Sequence, residues 1–548
     1  MTERSMQKFM IRIQQIKVPV KHTEKDIELK IRKLLRIGPE QPISFQIRKQ
    51  SVDARRGRET VYVYTVDVDL HRTTEQEQKL VGQVHNKNIM LTKCKKYHFL
   101  PTGTRKLSHR PVIVGSGPAG LFCAYLLASY GYRPRIIERG KMAEDRLQDV
   151  EAFWRGGALN TSSNVQFGEG GAGTFSDGKL NTLVKDPVGR NRFVLETFVK
   201  HGADSSILYV NKPHIGTDRL IQVVTDMRKE IIRLGGTFHF QTCMTDLQIR
   251  NEKLCSIRVE KDGREQELPT DLLVLAIGHS ARDTLQLLQA RHIPMQAKAF
   301  AVGLRVEHPQ QMINAHQYHG KDCTGLPTAS YKVTASLNDS RGVYSFCMCP
   351  GGYVVNASSE RGGLVVNGMS YQKRDGQNAN SAVIVAVTPK DFPDGGRDPL
   401  SGTVFQRQLE QRAYELGSGK IPQQLYGDYK NGIVSKAYGD FPSQTKGNCA
   451  FADLDELLPA ELKSAFINGM EQFAQYIPDF NRYDAILSGV ESRTSSPVRI
   501  LRKEDYTGET DGIYPCGEGA GYAGGIMSAA MDGMKVAEAI AGRYAVFG

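Results

Sequence analysis

Residues 111–139 read PVIVGSGPAGLFCAYLLASYGYRPRIIER, and the order of signals within them sets the fold. Val112, Ile113 and Val114 form a short apolar strand, and Gly115, Gly117 and Gly120 follow as G-x-G-x-x-G. An apolar helix is expected from Pro118 to about Tyr130, closed by Gly131, before Arg135 to Ile137 lead a second strand into Glu138 and Arg139. Each part has a mechanical duty. Gly115 permits the tight turn, Gly117 lets the main chain approach a pyrophosphate, and Gly120 lets helix and strand pack closely. The helix N-terminus, with Ser116, Pro118 and Ala119 around it, offers N–H groups and a partial positive charge to phosphates. Glu138, 18 residues after the last glycine, can accept hydrogen bonds from both hydroxyls of an adenosine ribose. A carboxylate there disfavours a 2′-phosphate, so NADP is not expected in this turn.

The glycine pattern alone decides little, because it occurs three times. Gly168, Gly170 and Gly173 match it without a clean strand before or a helical pattern after. Gly519, Gly521 and Gly524 follow a strand and open a helix, but no later strand is expected to deliver an acid. Only the match at Gly115 has the strand–turn–helix–strand–acid context of dinucleotide binding. The expected class is therefore α/β with a Rossmann-like domain.

The surrounding chain of 548 residues is long enough for three or four domains at about 150 residues each. With 40% hydrophobic and 24% charged residues it can bury a sizeable core, which excludes wholesale disorder, collagen and coiled coil. Its clean apolar runs, such as Leu272 to Ile277, fall far short of the ~20 residues that span a bilayer. The N-terminal MTERSMQKFMIRIQQ has charges and glutamines where a signal peptide needs an apolar stretch. Nine scattered cysteines give no disulfide framework, and no cluster has metal-ligand spacing. A cytoplasmic protein without a membrane partner or a metal is expected. Glycine, at 54 residues, is enriched over the usual ~7% and clusters at 115–120, 156–178 and 517–525.

Charge marks a boundary. Residues 1–110 hold 24 Lys and Arg against 11 Asp and Glu, and the remainder holds 47 against 48. Within the basic part, Ile11, Ile13, Ile16 and Val18 suggest a strand that alternates imperfectly. Thr23 with Asp26 resembles a capping box ahead of Ile27, Ile31, Leu34 and Leu35 at helical spacing, ended by Gly38-Pro39. Ile43, Phe45 and Ile47, then Tyr62, Tyr64, Val66, Val68 and Leu70, alternate as strands. This β-α-β-β order predicts a small N-terminal α+β domain, ferredoxin-like in type. Its charge suits nucleic acid or another acidic partner, or simply a solvated face; no RNA-binding signature accompanies it.

Four segments, the first motif among them, together resemble the FAD-binding fold of the glutathione-reductase type, and more closely an uncharacterised family of bacterial FAD-dependent dehydrogenases. They are VGSGPAG with Glu138-Arg139; QFGEGGAGTFSDGKL at 166–180; LLVLAIGHSA at 272–281; and GIYPCGEGAGYAGGIMSAAMDGMKVAEAI at 512–540. The resemblance implies FAD as cofactor, with Gly170, Gly171, Gly173, Ser176 and Lys179 along the pyrophosphate. It also implies Met244 beside adenine, with Thr242 and Cys243 on the same strand, Ala276 and Gly278 at a strand end, and Gly517, Glu518, Gly524, Gly525 and Ile526 at the closing strand and helix. Glu518 stands where the family usually has aspartate, and an acid there can accept a hydrogen bond from a ribityl hydroxyl. The helix beginning near Gly525 or Ile526 would turn its positive end to the flavin. Lys179 either donates to phosphate or flavin or is a solvated loop lysine.

The expected domains are residues 1–109, basic; 110–290, the first part of the FAD-binding domain; 291–487, an inserted strand-rich α+β substrate or cap domain; and 488–548, the closing part of the FAD-binding domain. Residues 291–487 hold no second nucleotide fingerprint, so any NAD(P)H would bind transiently. In the insertion, Arg305 either binds an anionic substrate or pairs with Glu307. Cys347 and Cys349 on a regular strand would share a face about 6.5–7 Å apart, at the upper limit for a disulfide and strained if one formed, so they are either a redox pair or ordinary buried thiols. Arg493 either grips a carboxylate or phosphate or pairs with Glu491. Leu462, Phe466, Met470 and Phe473 form a core stripe of a helix at 459–476. The function expected is an FAD-dependent oxidoreductase, of dehydrogenase or reductase type, passing hydride between a small-molecule substrate and the flavin. The alternatives are a flavoprotein docking to nucleic acid through its basic domain and a non-catalytic FAD-binding electron relay.

Overall fold

The computed structural model describes residues 9–93, 96–320, 322–336 and 341–547; the first eight residues of the N-terminal stretch read above lie outside the described residues. The chain opens with β1 (Phe9–Pro19), α1 (Glu24–Leu35), β2 (Ser44–Asp53), β3 (Val61–Asp69), α2 (Thr74–Val84) and β4 (Ile89–Lys93). These strands make one antiparallel sheet in the order β2–β3–β1–β4, the split βαβ layout of ferredoxin-like domains. The broken alternation of β1 has a cause. Its pairing with β3 slips between Ile13 and Ile16, where Gln15 takes φ 60°. This bulge keeps Ile11, Ile13, Ile16 and Val18 all in the core. Asp26 accepts hydrogen bonds from the Thr23 N–H and hydroxyl at 2.7 and 2.9 Å, closing the α1 cap. The sequence reading stopped at Leu70; α2 and β4 follow it, with Thr73 and Gln76 forming a second capping box.

Next come β5 (Val112–Val114), α3 (Pro118–Ser129), β6 (Arg135–Ile137), α4 (Ala143–Trp154) and β7 (Thr237–His239). β8 (Cys243–Arg250), β9 (Lys253–Lys261) and β10 (Arg264–Pro269) form an antiparallel meander, and β11 (Leu273–Leu275) and β12 (Met295–Ala297) follow. The strand-rich stretch contains β13 (Phe300–Pro309), β14 (Thr334–Ser336), β15 (Gly342–Cys349), β16 (Tyr353–Asn356), β17 (Val366–Met369), β18 (Asn378–Val387), β19 (Ile421–Leu425), β20 (Thr445–Lys446), β21 (Cys449–Phe451) and β22 (Ile486–Glu491). β23 (Val498–Ile500), β24 (Ile513–Pro515) and a terminal helix, Ile526–Arg543, complete the described chain.

Three arrangements position the cleft. A five-stranded parallel sheet runs β24–β11–β5–β6–β7. A seven-stranded sheet, β14–β15–β18–β13–β22–β19–β21, lies over it as a roof. Between the two, the outgoing β12 pairs antiparallel with the returning β23, so the chain leaves and re-enters the parallel-sheet layer through one ribbon. Helix α3 is apolar on every side and Ala119 through Ala128 are all buried, as expected of a helix enclosed on all faces. The terminal helix crosses it closely: a Cβ at Gly533 would stand 2.1 Å from the Ala119 carbonyl oxygen. In the roof, Leu462, Phe466, Met470 and Phe473 are buried on the helix Ala460–Ala474, as their spacing predicts.

Candidate functional site

Parallel strands end at one edge of their sheet, and the loops leaving that edge frame a crevice. Here a cleft of about 250 Å³ crosses the carboxyl ends of four strands. Glu138 and Arg139 follow β6, Gly115 to Ala119 follow β5, Ala276 to Ala281 follow β11, and Cys516 and Glu518 follow β24; residues from each of these groups line it. Phe167, Gly168, Gly171, Gly173, Ser176 and Lys179 of the glycine-rich loop, with Thr242, Cys243 and Met244, also line it, and Gly525 and Ile526 stand at the terminal helix. The roof contributes Phe346, Cys347, Glu491, Arg493 and Thr494, and Asn367 comes from β17 of the small sheet β17–β16–β20. The remaining residues singled out from sequence stand behind or beside this lining. Gly120 meets β5, since a Cβ there would lie 1.9 Å from the Gly115 carbonyl oxygen. The Gly170 N–H donates to the Ser116 carbonyl at 2.9 Å, and the Gly517 N–H donates to Asp532 at 2.8 Å. Gly524 lies beside Gly525 at the helix start, with nothing within 4 Å of where its Cβ would be.

The cleft is built for close backbone approach and for negative charge. Gly115 has φ +100°, and a Cβ there would lie 2.2 Å from the Ala276 carbonyl oxygen, so no other residue fits the turn. Neither α3, entered at Gly117, nor the terminal helix, entered at Gly525, has a side-chain cap. Two sets of N-terminal N–H groups therefore face the cleft without a side-chain acceptor, an arrangement suited to anions. Open space also surrounds the Cβ positions of Gly278 and Gly525. His279 was missed in the sequence. Its Nδ1 lies 3.5 Å from Glu518 Oε1, and its buried Nε2 has no hydrogen-bond partner among the described residues. Such an orphan on the wall of an extended, glycine-lined cleft fits a polar ligand that supplies the partner.

Glu138 is already fully engaged. One of its oxygens accepts from the Ser116 N–H and hydroxyl at 2.9 and 2.7 Å, and the other from the Gly140 and Gly168 N–H groups at 2.9 and 3.1 Å. It thereby ties the first glycine turn to the glycine-rich loop, and a ribose hydroxyl would have to replace one of these donors. The loop itself is organised by Arg146 on α4, which has no exposed surface. Its guanidinium donates to the carbonyls of Asn164, Val165, Gly168, Glu169 and Gly171 and lies over the Phe175 ring. Burial pushes its pKa down to about 10, so it stays charged. Nothing in the sequence around Arg146 marks this role, because its five partners are main-chain atoms.

The charged candidates resolve differently from their expected pairings. Arg305 does not pair with Glu307. It is fully buried and donates to Glu491 at 2.9 Å and Asn380 at 2.7 Å, while Glu307 accepts from Asn378, Ser443 and the Gln444 N–H. Arg493 does not pair with Glu491 either. It clamps Glu410 with two bonds at 2.9 and 2.7 Å and gives its remaining edge to Ser359 at 2.6 Å. Arg282 grips the same Glu410 from the other side at 2.9 and 2.7 Å. Burial alone would raise the Glu410 pKa, but Arg493 and Arg282 hold it well below the usual carboxylate range. Arg493 lines the cleft with its donors committed. Lys179 lines the cleft with its side chain partly exposed, and its ammonium contacts the Met348 carbonyl and lies 3.7 Å from Asp177. Ser176 closes its own turn, donating to the Gly173 carbonyl at 2.7 Å.

The parallel sheet, the glycine turn and the crevice at the strand ends define a Rossmann-like α/β protein. Residues 113–143 match the NAD(P)-binding Rossmann-like domain, residues 299–494 match "FAD-dependent protein, C-terminal domain-like", and residues 10–69 match a domain of unknown function. A Clostridium beijerinckii protein described as uncharacterized is 45% identical over 540 residues, covering 97% of this chain and 99% of its own. The chain belongs to this FAD-dependent protein family. Among solved structures it is similar to E. coli quinol fumarate reductase FrdA, at 10% identity, a TM-score of 0.36 and coverage of 80% of this chain and 70% of that one. Glycine oxidase from Geobacillus kaustophilus gives 10% identity and a TM-score of 0.36, over 81% and 97% of the two chains. No helix among the described residues is long and apolar enough to cross a membrane.

Proposed function

We propose that the chain is an FAD-dependent oxidoreductase of dehydrogenase or reductase type, acting on a small molecule held between the parallel sheet and its roof. The observation that carries this reading is the single cleft that joins the carboxyl ends of β6, β5, β11 and β24 to both uncapped helix N-termini. FAD would supply two-electron chemistry there, taking up or giving back a hydride equivalent. The protein's own residues do the rest. The Gly115–Gly120 turn and the α3 N-terminus receive the pyrophosphate, with Gly171 and Gly173 allowing the second loop to close over it. Glu138 orders both loops and would exchange a Ser116 contact for a ribose hydroxyl. Glu518 with His279 and Gly278 borders the ribityl region, and the N-terminus of the terminal helix, at Gly525 and Ile526, stabilises negative charge at the ring. The roof excludes water above it.

Anaerobic mixing with NADH, NADPH and a panel of metabolites tests this reading. At least one should bleach the flavin spectrum, whereas a flavin that no donor reduces, yet that photoreduction reduces normally, would point to a relay. A second reading rests on the charge concentrated in residues 1–110: the flavoprotein would dock to nucleic acid through this domain. Binding should then weaken steeply with salt and vanish when residues 1–100 are deleted; RNA retention unchanged by the deletion would end it.

A further inference from the structure

The roof brings one cysteine to the cleft and holds a second behind it, and neither is used above. Strand β15 does not run straight through Cys347 and Cys349. Its pairing with β18 steps from Phe346–Ala382 to Cys349–Asn380, three residues against two, so β15 carries one extra residue here. Cys347 takes φ +43°, a left-handed conformation that non-glycine residues hold at a cost and that gathers at functional positions. The bulge replaces the extended spacing of a regular strand, and the two cysteines curl onto each other: the Cys349 thiol donates to the Cys347 carbonyl at 3.1 Å. Cys347 lines the cleft beside Phe346 and Asn367, while Cys349 is fully buried behind it.

Positive charge surrounds the pair. Lys179 contacts the carbonyl of the intervening Met348. Arg305 donates to the Cys347 carbonyl at 3.2 Å and lies 3.8 Å from the Cys349 sulfur. The Cys349 thiol, then Lys179 and Arg305, lower the Cys347 thiol against the opposing effects of burial and Glu491, whereas burial raises Cys349. An accessible, acidic thiol next to a buried, protonated one is the division of labour of an attacking and a resolving cysteine.

We propose that Cys347 and Cys349 are a redox dithiol through which the cleft exchanges an electron pair with thiol and disulfide substrates. This rests on the flavin reading above. On oxidation of the pair two S–H bonds would break and one S–S bond form, and bound oxidised flavin would take up the two electrons and two protons. An incoming dithiol then reduces the Cys347–Cys349 disulfide by exchange and leaves as a disulfide. The substrate class is thus a thiol that reaches Cys347 from the cleft.

Two measurements on the full chain test the pair. Peptide mass spectrometry after equilibration with excess oxidised glutathione should find a Cys347–Cys349 disulfide, two hydrogens lighter than the dithiol, with or without bound FAD. Anaerobic dithiothreitol should bleach the flavin of the unaltered protein at least tenfold faster than that of Cys347→Ser or Cys349→Ser, with Cys255→Ser behaving as unaltered. Absence of the disulfide overturns the proposal, and so does equal bleaching in all four proteins. A chain that takes up no FAD overturns the flavin reading, and the electron transfer with it; the mass spectrum separates that failure from a failure of the cysteines to pair.

Discussion

At the scale of single residues, main-chain partners decide what the charged side chains do. Arg146 satisfies five carbonyls of the glycine-rich loop at once, a task that depends on the five-donor fork of a guanidinium. Arg146→Lys keeps the charge but offers three donors, leaving at least two buried carbonyls unpaired at about 1–3 kcal/mol each. The expected outcome is a loss of about 2–6 kcal/mol in urea unfolding and FAD binding weakened at least tenfold, read by fluorescence titration. The same scale explains the mistaken pairings. Arg305 and Glu307 are two apart on one strand, which suggested a pair, but each found a better-placed partner on a neighbouring element. Sequence proximity could not reveal that Glu410, on a helix some 80 residues before Arg493, is the carboxylate it clamps.

At the scale of elements, close helix–strand contact is the feature on which the glycine turn depends. Gly120→Val would drive side-chain atoms into the Gly115 carbonyl, 1.9 Å from the Cβ position. Overpacking of this kind typically costs about 1–3 kcal/mol or more, and α3 would tilt away from β5. Reduced thermal stability with loss of the bound flavin is the expected result in thermal unfolding with and without added FAD. Strand β13 carries a pH-dependent group. Burial pushes the His308 imidazole down to about 4, and its Nε2 bonds the Phe480 carbonyl at 2.7 Å. The unfolded chain, with an ordinary histidine near 6.5, takes up this proton first as pH falls. Its contribution is therefore fully present above about pH 6.5 and disappears towards pH 4, by about 3 kcal/mol. His308→Gln should flatten that part of the stability profile measured by urea unfolding, relative to the unaltered protein.

At the scale of the whole molecule, what the sequence revealed and what it hid divide along one physical line. The strand, turn, helix and acid at 111–139 were legible because local sterics and periodicity fix them: only glycine fits the turn after Val114, and only an all-apolar helix can be enclosed as α3 is. The meeting of 166–180, 242–244, 276–281 and 516–526 at one crevice follows from the resemblance, not from any local pattern. Bulges escaped the reading because each depends on the partner strand. The slip in β1 showed only as imperfect alternation, and the one in β15, which re-aims Cys347, showed not at all. His279, Arg146 and the Arg282–Glu410–Arg493 cluster depend on contacts between elements far apart in the chain, where no spacing rule reaches.

The proposed oxidoreductase chemistry requires FAD in the crevice across β6, β5, β11 and β24. Acid release of the bound cofactor from the purified full-length chain, with chromatographic identification and quantitation against protein, tests it most directly. The expected result is a yellow protein yielding FAD, one molecule per chain once saturated. A colourless chain that takes up no added FAD, or one that releases a nicotinamide nucleotide alone, would contradict it.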